Sequence, residues 1–284
     1  MAGHDLHTTP LGSPIGLEVR DIDLSGDLSP KALTAIKSLF ADNPVLVFRD
    51  QELDAAAIAR FAHAFGDIIP GVIEKYRHPD VPEVSFLTNV EADGSIDAFG
   101  VRRASDWHYD GSFAAQPPDC AMLYGVRIPN EGGGTLFADM RTAWSTLPPT
   151  LRRRVEGLET VNHFGLGPAG RAYFDGMTPD RWSSYAPIRR PLVMPHPTTG
   201  RLLLKFCMIH TAGFSGMTHR DGVLLMTELL EHATSPACAY YHAWRPGDLV
   251  LWDEHATMHR NAGDFPPVQH RVMLRAMVGG GPAD

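Results

Sequence analysis

Short apolar runs separated by turn-forming residues dominate this chain from about residue 84 onward. Typical runs are "VSFLTNV", "AMLYGVRI", "GTLFADM", "RLLLKF", "DLVLWD" and "HRVMLRAMV", and Gly, Pro, Asn and Asp stand between them. Runs of this length between turn signals are typical of β-strands, and many such strands in one chain predict a sandwich or a barrel. The pattern therefore favours a mainly β architecture.

Amphipathic helices are predicted to accompany these strands. In "LSPKALTAIKSLFADN", Ser29 is suited to cap a helix that begins at Pro30, and apolar residues recur with helical spacing. The segment "LDAAAIARFAHAFG" repeats the pattern up to Gly66, and "DGVLLMTELLEHATS" predicts a further helix. The stretch from Pro148 to Pro197 has mixed signals that predict no regular element. We expect residues 1–284 to form a single domain.

Composition argues against several kinds of partner. Asp and Glu number 33 against 25 Lys and Arg, a formal net charge of −8, so the overall field would repel nucleic acid and anionic lipid. The three cysteines are widely spaced, and no apolar segment resembles a signal peptide or a membrane span. We therefore expect a cytoplasmic protein that binds neither nucleic acid nor membranes. Local clusters of arginine still allow a small anionic ligand.

The octapeptide "DWHYDGSF" contains a candidate metal-binding motif. If it begins on a strand, His108 and Asp110 point to the same face, roughly 6.5 Å apart at about 3.3 Å per residue. An imidazole and a carboxylate suit Fe(II), Mn(II) or Zn(II), but a catalytic site needs a third ligand. We expect His259, because "GDLVLWDEHATMHR" predicts a strand that runs into a polar turn carrying His255 and His259. A helical zinc pair would require His-Glu-x-x-His, whereas Glu254 precedes the first histidine here.

A pair of arginines follows in "QHRVMLRAMV". Arg271 and Arg275 are four residues apart, so both should lie on one side of a predicted strand with Met273. A buried guanidinium is costly unless it is paired, and its planar fork matches a carboxylate. A ligand carboxylate is one possible partner, and an acidic side chain across the barrel is the alternative.

Four motifs in order resemble the taurine dioxygenase and aryloxyalkanoate dioxygenase family of Fe(II)- and 2-oxoglutarate-dependent oxygenases: His-x-Asp, "GGGTLFADM", "GDLVLWDEHATMHR" and Arg-x-x-x-Arg. The resemblance extends from "GLEVRDIDLSG" to "HRVMLRAMV", which is most of the chain. It implies a double-stranded β-helix, or jelly roll, with flanking α-helices. It also implies that 2-oxoglutarate and O2 are cosubstrates, that succinate and CO2 are released, and that an aliphatic C–H bond is hydroxylated.

The resemblance assigns roles by position. The implied Fe(II) ligands are His108, Asp110 and His259. Arg271, helped by the Thr135 hydroxyl, would bind the 5-carboxylate of 2-oxoglutarate, and Arg275 would hold an anionic group of the substrate. The opposite assignment of the two arginines is the alternative. Because related halogenases have a small residue in place of Asp110, hydroxylation is favoured over halogenation. Further candidates for the substrate side are Tyr109, Phe206, Lys75, Arg77 and Arg102.

The substrate class is inferred from smaller similarities. The segments "TLFADMRTAWSTLPPTLRRRVEGL" and "LLEHAT" resemble the aryloxyalkanoate branch, which points to a small, carboxylate-bearing substrate. Ile68, Ile69 and Pro70 stand where taurine-specific relatives would have a histidine, so taurine is disfavoured. Alternatives are an alkylsulfonate dioxygenase that releases sulfite, a biosynthetic hydroxylase of an amino acid or carrier-bound intermediate, a zinc hydrolase, and a non-catalytic jelly-roll binding module. Dimers or tetramers are common in the family, so a homo-oligomer is expected.

Overall fold

A computed structural model of the chain describes residues 6–12, 15–71, 73–102, 104–170 and 186–279. The strands in these residues are β1 (His7–Pro10), β2 (Gly16–Arg20), β3 (Val45–Phe48), β4 (Ser85–Thr88), β5 (Cys120–Arg127), β6 (Thr135–Asp139), β7 (Glu159–Asn162), β8 (Ile188–Pro191), β9 (Val193–Pro195), β10 (Leu202–Leu204), β11 (Thr211–Phe214), β12 (Ala239–His242), β13 (Leu249–Asp253), β14 (Thr257–Asn261) and β15 (Val272–Val278). The α-helices are α1 (Pro30–Asp42), α2 (Ala55–His63), α3 (Ala98–Arg102), α4 (Met140–Ser145), α5 (Pro149–Val155) and α6 (His219–Ala233), and a 3-10 helix spans Glu74–Tyr76.

The larger sheet has seven strands in the order β1-β2-β3-β13-β5-β15-β4. Strand β13 lies at its centre, paired antiparallel with β3 and β5, and all five of its residues are buried. Its side chains alternate between two apolar clusters. Leu249 and Leu251 pack with α2, whereas Val250 and Trp252 face the second sheet. This explains the uninterrupted apolar run, since both faces of the strand are covered.

The second sheet, in the order β12-β6-β14, faces the first. Phe137 of β6 and Tyr240 of β12 pack against Val250 and Trp252 between the two sheets. The chain passes from one sheet to the other in the short reversal of residues 254–256, which joins β13 to β14. Two facing antiparallel sheets of this kind form the jelly roll that the sequence predicts.

Helices cover the outer faces of both sheets. The side chain of Ser29 accepts a hydrogen bond from the Ala32 N–H at 3.2 Å, so it caps α1 as predicted. Helices α1 and α2 cover the larger sheet, and α4 and α6 pack in the cluster behind the second sheet. None of the described helices has the length and apolar character needed to span a bilayer.

The stretch between residues 148 and 197, for which the sequence predicts no regular elements, contains α5 and three short strands. Strands β7 and β8 join β11 in one small sheet, and β9 pairs with β10 in another. Residues 171–185 of this stretch lie outside the described residues. The loops next to β7 and β11 bring Phe164 and His210 together from parts of the chain far apart in sequence, with ring centroids 5.4 Å apart.

Candidate active site

Three ligand-type side chains meet at the inner face of the second sheet. His108, Asp110 and His259 offer nitrogen and oxygen atoms that all lie within 4.8 Å of one another. The main chains of the two histidines exchange hydrogen bonds of 3.0 and 2.7 Å, and their ring centroids are 4.4 Å apart. Atom Nε2 of His108 is 3.7 Å from Oδ1 of Asp110. Within the described ranges, this is the one group whose atoms have metal-ligand spacing.

Strand pairing determines where the third ligand lies. The sequence predicts His259 in a polar turn, but the turn comprises only residues 254–256, and β14 begins at Thr257. His259 pairs with Phe137 of β6 and forms an isolated bridge with His108. The prediction of a turn was wrong because pairing with β6 resumes at once. Side chains alternate along β14, so Met258 faces the outer cluster and His259 faces the interior.

The three side chains fit a divalent metal ion. Two imidazoles and one carboxylate form the donor set that non-haem Fe(II) favours. Burial, and then the nearby His108, lower the pKa of His259 to about 3, which keeps its imidazole neutral and able to bind metal. The main-chain oxygen of Asp106 lies 2.7 Å from Nδ1 of His108, which places the ring proton on Nδ1 and leaves Nε2 free to ligate. Buried Nδ1 of His259 has no hydrogen-bond partner in the described part of the chain.

The residues expected to hold 2-oxoglutarate lie side by side. Arg271 is buried, donates through Nε to the Gly133 carbonyl at 2.9 Å, and donates through Nη2 to Thr135 Oγ1 at 3.3 Å. The Trp244 indole N–H also donates to Thr135 Oγ1, at 2.9 Å. Among the described residues, no Asp or Glu lies within ion-pair distance of Arg271. Burial lowers the pKa of Arg271 to about 10, so at neutral pH its guanidinium is charged.

Arg275 lies on the same side of β15 as Arg271, as the spacing predicts. Its Nη1 atom donates to Asp110 Oδ2 at 3.1 Å, and both side chains are mostly buried. Met273, between the two arginines, faces the interior, whereas Leu274 faces α2 and the helical layer. The structure therefore directs both guanidinium groups into the space between the sheets.

The comparisons with known proteins agree with this geometry. A family model described as "Taurine catabolism dioxygenase TauD, TfdA family" matches residues 7–277. The chain belongs to this family. It is an oxidoreductase, a dioxygenase dependent on 2-oxoglutarate (alpha-ketoglutarate), and it uses Fe(II), 2-oxoglutarate and O2. The resemblance stated from the motifs is confirmed.

Individual relatives differ in substrate. The alpha-ketoglutarate-dependent 2,4-dichlorophenoxyacetate dioxygenase of Cupriavidus pinatubonensis (strain JMP 134 / LMG 1197) is 33% identical over 260 residues, which cover 88% of this chain and 90% of that protein. Pentalenolactone F synthase of Streptomyces arenae is 30% identical over 291 residues, covering 96% and 95%. The crystal structure of AAD-2 in complex with Mn(II) and N-oxalylglycine superposes with a TM-score of 0.85 at 28% identity and covers 98% of both chains. The jelly-roll fold is confirmed.

Two aromatic residues expected on the substrate side of the dioxygenase lie elsewhere. Tyr109 is 1% exposed and Phe206 is fully buried, both in the cluster behind the second sheet. Because side chains alternate along an extended segment, Tyr109 must face away when His108 and Asp110 converge on one point. The structure therefore gives these two residues a packing role.

The basic candidates are also held away from the triad. Lys75 is half-exposed and pairs with Glu91 at 2.9 Å, and Arg77 donates to the Gly71 carbonyl at 2.9 Å. The side chain of Arg102 lies outside the described residues. Across the residues that the structure describes, neither Lys75 nor Arg77 therefore has a contact with His108, Asp110 or His259.

Sequence reasoning missed an aromatic group beside the triad. The rings of Phe113, Phe164 and His210 have centroids 4.8 to 5.4 Å apart. Burial, and then His108, lower the pKa of His210 to about 3, so the imidazole is neutral. Its Nδ1 atom accepts the Gly165 N–H at 2.9 Å, so the ring proton is on Nε2. No local sequence pattern singles out His210, which comes from a loop far from the metal motif.

It also missed a buried network of ionisable side chains behind the three candidate metal ligands. Glu254 is fully buried, and its carboxylate accepts the Asp110 main-chain N–H at 2.9 Å and the Trp252 indole N–H at 2.8 Å. Nearby Lys205 donates to the main-chain oxygens of residues 254 and 255 at 2.7 and 3.1 Å. Burial raises the pKa of Glu254 and lowers that of Lys205. A charged residue inside an otherwise apolar "RLLLKF" run was the available signal.

Proposed function

We propose that this dioxygenase hydroxylates an aliphatic C–H bond of a small, carboxylate-bearing substrate of the aryloxyalkanoate type. The observation that carries the proposal is the group Phe113, Phe164 and His210 beside the triad, together with Arg275. Two aromatic rings suit an aryl group. The Arg275 guanidinium gives one N–H to Asp110, and its remaining N–H groups would bind the carboxylate of the substrate. The similarity to a 2,4-dichlorophenoxyacetate dioxygenase supports the same substrate class.

Each group of residues has its own part in this reaction. His108, Asp110 and His259 would hold Fe(II), and Arg271 with Thr135 would hold the 5-carboxylate of 2-oxoglutarate. When bound there, Fe(II) would supply the redox centre for O2 activation and for oxidation of 2-oxoglutarate to succinate and CO2.

The organisation of the protein is part of the proposal. We infer that residues 1–284 form one catalytic domain, which the family match over residues 7–277 supports. We also propose a homodimer or homotetramer, as expected for the family. Size-exclusion chromatography with light scattering measures the mass directly, and a species of 31.1 kDa would contradict the oligomer.

The test is succinate release by the Fe(II)-loaded protein with 2-oxoglutarate and matched panels of aryloxyalkanoic acids, alkylsulfonates, alkyl sulfates and amino acids. Each aryloxyalkanoic acid is paired with its neutral amide. We expect the acids to stimulate succinate release well above the amides, because the proposal requires a carboxylate. Equal stimulation by acid and amide, or stimulation by sulfonates alone, would overturn the proposed substrate class.

A second candidate is hydroxylation in a biosynthetic route, which the 30% identity to pentalenolactone F synthase favours. Succinate release that no panel stimulates would support this candidate, because it leaves the cosubstrate chemistry intact. Product analysis by mass spectrometry would then follow the oxygenation of larger carboxylic acids.

A further inference from the structure

The reversal between β13 and β14 lies directly behind the metal motif. The carboxylate of Glu254 links two donors, the main-chain N–H of Asp110 at 2.9 Å and the indole N–H of Trp252 at 2.8 Å. The Trp252 ring in turn packs on the ring of His259, with centroids 5.0 Å apart. One buried side chain thus connects the segments that carry two of the three candidate ligands.

Lys205 binds the main chain of this reversal. Its ammonium donates to the main-chain oxygens of Glu254 and His255, and it lies 3.6 Å from the centre of the Tyr109 ring. Tyr109 is the residue between His108 and Asp110. The network therefore meets the metal motif at the Tyr109 ring and at the Asp110 N–H.

Stability alone does not explain such a network. Burying an acid and a base removes both from water at a cost in free energy, and apolar residues of similar volume often stabilise a fold as well or better. The two polar side chains instead fix the orientation of their partners, because each hydrogen bond constrains the group that it joins. The groups constrained here are the main chain of Asp110 and the ring that packs on His259.

We propose that Glu254, supported by Lys205, is a positioning residue that fixes Asp110 and His259 for metal binding before the metal arrives. The inference rests on the proposed assignment of His108, Asp110 and His259 as ligands. Neither Glu254 nor Lys205 touches the reacting groups, so their effect is on metal affinity and not on the chemical step.

The test is calorimetric titration of the metal-free, full-length protein with Mn(II). Glu254→Gln keeps the volume but replaces one acceptor oxygen with an NH2 group, which then faces a buried donor. We expect Mn(II) affinity to fall by about 10- to 100-fold, the usual effect of removing an outer partner of a metal ligand. The matched control is Glu228→Gln, which makes the same chemical change in the exposed pair with Arg154 and should leave Mn(II) affinity unchanged.

Thermal unfolding of the metal-free variants separates positioning from general stability. A weakened affinity with an unfolding temperature near that of the wild type supports the proposal, and an unchanged affinity overturns it. If Glu254→Gln does not fold, the double variant Lys205→Met/Glu254→Gln removes both buried charges together, and the same two outcomes apply to it.

A His108→Ala variant distinguishes failure of this inference from failure of the proposed site. If wild type and His108→Ala bind Mn(II) equally, the ligand assignment fails and the inference falls with it. If His108→Ala loses binding while Glu254→Gln binds like the wild type, only the positioning role is overturned.

Discussion

The hydroxyl of Thr135 shows how a single residue can be prepared for a ligand. Its oxygen receives hydrogen bonds from the Trp244 indole at 2.9 Å and from Arg271 at 3.3 Å. A hydroxyl has two acceptor lone pairs and one proton, so these two bonds leave the proton to be donated outward. On the proposed assignment, the acceptor for this proton is a carboxylate oxygen of 2-oxoglutarate. Trp244 therefore orients the Thr135 hydroxyl so that it acts as a donor, although Trp244 makes no contact with the ligand itself.

Trp244→Phe is expected to weaken the apparent affinity for 2-oxoglutarate, with a KM about fivefold higher, because one hydrogen bond worth about 1 kcal/mol no longer orients Thr135. The KM for the primary substrate should stay near the wild-type value. Steady-state succinate release measures both constants. Trp144→Phe, on α4 against Arg152, is the control. An unchanged cosubstrate KM would show that Trp244 only fills space.

His210 makes the free energy of unfolding depend on pH. The pKa of His210 is about 3 in the folded protein and near 6.5 in an unfolded chain, so between these values the unfolded state binds more protons. The contribution is therefore complete above pH 6.5 and is lost as the pH falls towards 3. His210→Asn keeps an acceptor for the Gly165 N–H and removes the titration.

We accordingly expect the melting temperature of His210→Asn to fall less steeply than that of the wild type between pH 6.5 and pH 5. Differential scanning calorimetry over that range provides the comparison. The variant His63→Gln, which replaces a half-exposed histidine away from the site, is the comparison. Parallel curves for His210→Asn and wild type would contradict the buried, neutral state of His210.

Among the elements, β8 has an effect on the loop that follows the metal motif. Arg190 of β8 donates to the main-chain oxygens of Ser112 at 2.7 Å and Ala115 at 3.3 Å, and also to that of Ala114. This loop carries Phe113. The Arg190 guanidinium thus donates its hydrogen bonds to main-chain carbonyls. It holds the loop in place and does not serve as an anion-binding site.

Arg190→Met should loosen the loop and raise the KM for the primary substrate several-fold, while the cosubstrate KM stays constant. Amide hydrogen exchange over residues 112–115 should become faster, because the carbonyls lose their donor. Its neighbour gives a matched control, since Arg189 is exposed and bonds the side chain of Ser215. If both variants behave alike, the loop does not depend on Arg190.

The sequence predicts helices and strands well where the periodicity of apolar residues is strong. The core strands β5, β6, β13 and β15 and helices α1, α2 and α6 lie within a few residues of the predicted runs. The motif residues His108, Asp110 and His259 meet as expected. His210 could not be foreseen, because the pairing of β7 with β11 brings it to the aromatic group from a distant part of the chain. Glu254 lies inside the motif of His259, but its contact with the Asp110 main chain exists only in the folded chain. Tyr109 was assigned to the substrate side although alternation turns it away.

For the whole molecule, ligands that bind only the folded state should add to its stability. A ligand at about a hundred times its Kd contributes about 2.7 kcal/mol, which is roughly 5 °C or more in melting temperature for a chain of this size. We expect Mn(II) to raise the melting temperature and N-oxalylglycine to raise it further, with a chelator reversing both. Arg271→Met should keep the first increment and lose the second. If both Mn(II) and N-oxalylglycine still raise the melting temperature of Arg271→Met, then another residue binds the cosubstrate.

The main-chain bridge between His108 and His259 also has a consequence for synthesis on the ribosome. The first two candidate ligands leave the exit tunnel well before their partner strand β14 and the two arginines, Arg271 and Arg275. Pairing across such a separation is slow and waits for the later segment. A growing chain therefore cannot bring the three candidate ligands together until β14 has emerged, and a product truncated before His259 should emerge without metal.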